Sequence, residues 1–91
     1  MYIPSITSIE QALKIYYENA EIGNQEIRDL FGCRSSATVS RLKRLAKSEM
    51  IKKDVPTFNA YKINTAVAYE AWGIDITDLE ERMRKIKELA L

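Results

Sequence analysis

Asn24-Gln25-Glu26-Ile27-Arg28-Asp29-Leu30-Phe31-Gly32-Cys33-Arg34-Ser35-Ser36-Ala37-Thr38-Val39-Ser40-Arg41-Leu42-Lys43-Arg44-Leu45 is the stretch on which the reading of this chain turns. Asn24 can cap a short helix whose inward residues are Ile27, Leu30 and Phe31, and Gly32 ends it. Gly32 also permits the left-handed backbone of a tight turn. Cys33-Arg34-Ser35 forms that turn, and Ser35 or Ser36 caps a further helix running to about Met50. Its inward positions are Val39, Leu42, Leu45, Ala46 and Met50. Its outward positions are Ala37, Ser40, Arg41, Lys43, Arg44 and Lys47. One face is apolar and the other cationic, as expected of a helix fixed on a core with its far side presented outward.

Moving outward from this stretch, Thr7 and Glu10 have capping-box spacing, and Ile9, Leu13, Tyr16, Tyr17 and Ala20 follow. They predict a first helix from about Ser8 to Glu21, closed by Gly23. Ile51 to Ile63 reads as extended or hairpin-like, with Pro56 arguing against a central strand. Asn64 caps a fourth helix through Trp72, where Tyr69 and Trp72 are read as core. Thr77 and Glu80 repeat the capping-box spacing before a fifth. The expectation is a single domain, 1–91, of mainly α class. It comprises a helix-turn-helix core over 8–63 with a short hairpin or extended segment, and two further helices over 64–91.

The net charge of +1 hides an uneven distribution. Arg34, Arg41, Lys43, Arg44, Lys47, Lys52 and Lys53 face only Glu49 between residues 34 and 53, whereas the segments 1–33 and 64–91 are both acidic on balance. A local positive field of this kind attracts polyanions, although a solvated helix face has the same composition. The 91 residues include no histidine and a single cysteine, Cys33. An intramolecular disulfide, the usual structural zinc sites and His-activated nucleophiles are therefore not expected. The Gly-rich phosphate loops are likewise missing, so no enzyme, cofactor or metal is expected. Met1 to Ser5 lacks the pattern of a signal peptide, and no run approaches the roughly 20 apolar residues that span a bilayer. An intracellular, cytoplasmic location is expected, and Cys33 is read as a half-buried structural thiol.

The central stretch resembles the helix-turn-helix unit of bacterial and phage DNA-binding proteins. In that family a short helix ends in Leu-x-Gly and a second begins Ser/Thr-x-Thr-Val-Ser-Arg; here Ile27, Leu30, Phe31, Gly32, Thr38, Val39, Ser40, Arg41 and Leu42 match. Arg28 stands where the family has a small residue, and the interval from Gly32 to Val39 is one residue longer. Arg28 is a departure from the pattern, and the longer interval implies a lengthened turn, as in winged-helix variants. The resemblance, over about 22 residues, implies sequence-specific binding of double-stranded DNA by a small transcriptional or phage-type regulator. Ser36, Ala37, Ser40 and Arg41 would approach base edges, with Arg41 suited to guanine. Arg34, Thr38, Lys43, Arg44 and Lys47 would meet phosphates, joined by Lys52 and Lys53 if the following segment is a wing. The alternative is an adaptor or assembly protein, such as a phage DNA-packaging subunit, acting through protein partners.

Ile76, Leu79, Met83, Ile86 and Ala90 are spaced three and four apart, a narrow heptad-like seam. The seam either packs on its own domain or pairs with a second chain. A homodimer is expected, because paired reading helices would match two half-sites about one DNA turn apart.

Overall fold

The computed structural model describes residues 3–90; the first two residues of the stretch tested as a signal peptide lie outside it. In chain order the elements are α1 (Ile9–Glu18), β1 (Glu21–Ile22), α2 (Asn24–Phe31), α3 (Ser36–Lys52), β2 (Ile63–Asn64), α4 (Thr65–Ala71) and α5 (Ile76–Leu89). The chain is mainly helical, with a small two-stranded sheet.

Four of the five helices start at side-chain caps; those of α3 and α4 are where the sequence places them, whereas the starts of α1, α2 and α5 are displaced slightly. Ser8, not Thr7, caps α1 by accepting from the Gln11 amide at 2.9 Å. Thr7 is otherwise engaged: its hydroxyl and its amide both donate to the Leu30 carbonyl, fastening the entry of α1 to the end of α2. Gly23 rather than Asn24 occupies the cap position of α2. Ser35 caps α3 and Asn64 caps α4. In α5 the cap is Asp75, which accepts from the amides of Thr77 and Asp78 and replaces the expected Thr77 box. Each such oxygen satisfies an amide that the first turn of a helix leaves without a partner.

α1 stops three residues earlier than its periodicity suggests. The Asn19 side chain donates back to the Ile15 carbonyl at 3.0 Å, and the chain turns extended. Glu21 and Ile22 then pair antiparallel with Asn64 and Ile63. The strand after α3 therefore finds its partner before α2 and not in a local hairpin. Residues 53–62 contain no strand, so the hairpin form of the Ile51–Ile63 segment is not observed.

A single buried cluster joins all five helices and the sheet. It includes Ala12 and Ile15 of α1, Ile27, Leu30 and Phe31 of α2, Val39, Leu42, Ala46 and Met50 of α3, Val67, Ala68 and Tyr69 of α4, and Leu79 of α5. Trp72 lies edge-on to Phe31 and donates its indole N–H to the Leu42 carbonyl at 2.9 Å. The Tyr69 hydroxyl donates to the Ala12 carbonyl at 2.7 Å in a buried setting. Tyr69 and Trp72 are thus core, as read, and α4 belongs to the same core as the helices before it. Cys33 is half-buried against that core.

Burial, and secondarily the neighbouring Tyr16, hold the Tyr69 phenol well above its usual titration range. A raised acid pKa in the folded state means that the unfolded chain loses this proton first as pH rises. Stability carried by the neutral phenol is complete below about pH 10 and declines above it. Tyr69→Phe is expected to lower stability at neutral pH by about 1 kcal/mol and to flatten the alkaline decline, as read from urea unfolding at both pH values. An unchanged alkaline slope would show that Tyr69 is not the group responsible.

Candidate nucleic-acid interface

Gly32 ends α2 with φ of 64°, and its amide donates to the Arg28 carbonyl at 2.7 Å. A side chain at this position would meet two obstacles. The left-handed backbone strains any L residue, and a Cβ would lie 2.7 Å from the Thr7 methyl. The turn then runs through Cys33 and Arg34 to Ser35, whose hydroxyl accepts from the Thr38 amide at 3.3 Å. Arg28 reaches across this turn to the Ser36 hydroxyl in a long, 3.5 Å contact. The bulky residue at the crossing point thus lies over the turn, compatible with the extra residue there.

The outward face of the first two turns of α3 is open at three positions. Ser36, Ala37 and Ser40 are exposed, while Thr38 and Arg41 are half-buried. Arg41, Arg44, Leu45 and Ser48 line a shallow groove along one flank of the helix. Arg34 and Arg44 are exposed and carry no ion pair or hydrogen bond among the described residues. The amides of Ser36 and Ala37 point out of the helix start, where the helix dipole favours negative charge.

The lysines of α3 behave differently from the arginines. Lys43 donates to the Tyr61 carbonyl at 2.8 Å and Lys47 to the Ala60 carbonyl at 3.4 Å. Burial, followed by the repulsion of Lys47, pushes the Lys43 pKa below its ordinary value. Lys52 pairs with Glu49 at 3.6 Å, and Lys53 pairs with Glu70. Four of the cations read as phosphate contacts therefore also serve the fold. Arg34 and Arg44 are left as the ones with no competing partner.

The loop held by Lys43 and Lys47 lies where the sequence suggested an extended segment, hairpin or wing. Asn59 turns it by accepting from the Tyr61 amide at 2.8 Å. Phe58 and Tyr61, both 82% exposed, project from it, and Ile51 at the end of α3 is 80% exposed. The alternation of Phe58, Tyr61 and Ile63 suggested a strand or a connector with both rings buried; without a strand to pair on, only Ile63 is buried and the two rings stand in solvent.

The heptad-like seam divides. Leu79 is buried and Ile76 and Met83 are half-buried against the domain, whereas Ile86 and Ala90 are exposed. Among the described residues no cluster of His, Cys, Asp and Glu could hold a metal ion. No described helix is long and apolar enough to cross a membrane. Comparisons with protein-family models, curated proteins and solved structures found no match for this chain.

Gly32→Ala is expected to destabilise the fold by more than the roughly 1–2 kcal/mol of a left-handed L residue, because the Thr7 methyl adds a clash. Placing Thr7→Ser in the same chain removes the methyl and should recover only the steric part. Urea unfolding of the single and double variants separates the two contributions. A Gly32→Ala protein as stable as the parent would contradict the turn described.

Proposed function

We propose that the chain binds double-stranded DNA by laying the N-terminal half of α3 in the major groove. The observation that carries this reading is the uncovered start of α3. Small polar residues Ser36, Ala37 and Ser40 are followed by Arg41 and Arg44, on a helix locked from behind by Leu42, Ala46 and Trp72. Groove entry needs this combination: a narrow leading end, a cationic flank, and a helix that does not yield when phosphates pull on it.

In this proposal Ser36, Ala37, Ser40 and Arg41 meet base edges. Arg34 and Arg44 meet phosphates together with the exposed amide end of the helix, and Thr38 stays with its own turn. Lys43 and Lys47 contribute their field while bonded to the loop. The reading treats the protein as a regulator of helix-turn-helix type and assigns it no reaction, cofactor or metal.

An adaptor or assembly role is favoured by a different observation, the outward Ile51, Phe58 and Tyr61. Large apolar groups left in solvent are a common feature of protein-contact surfaces. In that case DNA affinity would be low.

Fluorescence-anisotropy titration of the full chain with mixed-sequence duplex, repeated across salt concentrations, tests the first reading. Log affinity should fall steeply with log salt, by about 0.9 per phosphate neutralised. The double variant Arg34→Ala, Arg44→Ala should bind more weakly to every sequence and reduce the slope by up to about 1.8. Arg41→Ala should in addition relax sequence preference, by about 1–3 kcal/mol at one base pair. Absence of binding at low salt would overturn the DNA reading and leave the adaptor role.

A further inference from the structure

Six of the eight charged residues of α5 are paired within the helix. Asp78 pairs with Arg82 at 2.8 Å, Glu81 with Lys85 at 3.6 Å and Arg84 with Glu88 at 3.7 Å, each one helical turn apart. Glu80 and Lys87 have no ion pair among the described residues. These two are seven residues apart, so they sit on the same side of the helix, roughly 10 Å from each other. Both line a groove together with Leu13 of α1 and with Met83, Arg84 and Glu88 of α5.

The apolar stripe of α5 also outlasts its cover. Leu79 is buried and Met83 half-buried, but Ile86 is 52% exposed and Leu89 87% exposed. α1 is ten residues long and α5 fourteen. The final turns of α5 therefore carry apolar groups that its own domain leaves in water.

The geometry points to a second copy of this chain as the occupant: two α5 helices pair antiparallel about a two-fold axis, each lying along the Leu13–Met83 groove of the other. The charges select this occupant. Glu80 follows Leu79 and Lys87 follows Ile86, so both hold the same flanking position of successive heptads. With Met83 of one copy opposite Ile86 of the other, antiparallel pairing sets Glu80 against Lys87 across the seam. The two-fold repeats that ion pair, as a self-complementary interface requires. A parallel pair would instead turn Glu80 toward Asp75 and Lys87 toward Arg82 of the other copy, like charges in both cases. The two symmetry-related ion pairs thus fix orientation, while Met83 and Ile86 at the centre of the seam supply the apolar contact.

Sedimentation equilibrium of the full chain from micromolar to near-millimolar concentration tests this, and it is independent of any DNA binding. The expected result is a reversible monomer–dimer equilibrium with a dimer of twice the 10.5 kDa chain mass. Ile86→Asp changes a half-exposed residue, so the helical circular dichroism and unfolding midpoint should hold while dimerisation weakens at least about tenfold. Glu80→Lys or Lys87→Glu alone sets like charges across the seam and should raise the dimer Kd roughly three- to thirtyfold. The double exchange Glu80→Lys, Lys87→Glu should restore parental affinity. A monomer throughout the range overturns the proposal, as does a dimer indifferent to Ile86→Asp. Failure of the double exchange to rescue the single ones overturns the antiparallel register.

Discussion

The arrangement depends first on the bond from the Trp72 indole to the Leu42 carbonyl, made in the interior at 2.9 Å. A buried indole N–H left unpaired would cost on the order of 1–3 kcal/mol, so the ring is held where this carbonyl can be reached. Leu42 lies in the middle of α3, and the bond therefore ties α4 to that helix from the side opposite its cationic face. Tyr69, one turn earlier on α4, does the same for α1 through Ala12. One short helix thus sets the position of two others. The rings of Phe31, Trp72, Tyr69 and Tyr16 form a continuous packed series between them.

That constraint frees the outer face of α3 for other work, and the structure divides it. Toward the C-terminal half, Lys43 and Lys47 hold the carbonyls of Tyr61 and Ala60, replacing a strand ladder that residues 53–62 do not form. A charge-assisted hydrogen bond of this kind is stronger than a neutral one, though solvent at these exposed sites reduces its net worth. At the N-terminal end, Ser36, Ala37 and Ser40 are exposed to solvent. The charge count of the sequence overstates the cations available to a ligand, since side chains bonded to their own backbone must exchange a partner before binding another.

Much of the helical plan could be read directly from residues. Gly32 marked the end of α2, and the inward positions Val39, Leu42, Ala46 and Met50 of α3 are buried as their spacing requires. Helix boundaries were less legible, because Thr7, Ser8, Thr77 and Asp75 offer competing caps and only tertiary contacts choose among them. Thr7 was lost to the Leu30 carbonyl, which no local pattern reveals. The sheet was hidden for a different reason. Two-residue strands show no alternation, and Glu21–Ile22 and Ile63–Asn64 are far apart in the chain. The seam of α5 was visible as a period, but its division into a buried and an exposed half follows from the length of α1.

The division of labour among the helices bears on how a pair of chains would act. α5 packs on α1, whereas α3 packs on α4 and β2. Pairing along the groove of α1 and α5 would therefore use elements other than those that present Ser36, Ala37 and Ser40. Under the proposed DNA reading, a dimer would have to carry its two α3 helices about one turn of DNA apart, about 34–36 Å. Such a pair would join two weak contacts into one strong one, because once the first helix is bound the second meets DNA at a high effective concentration. Modest cation numbers on each α3 would then suffice. The few arginines left unengaged by the fold are consistent with a site that works in twos.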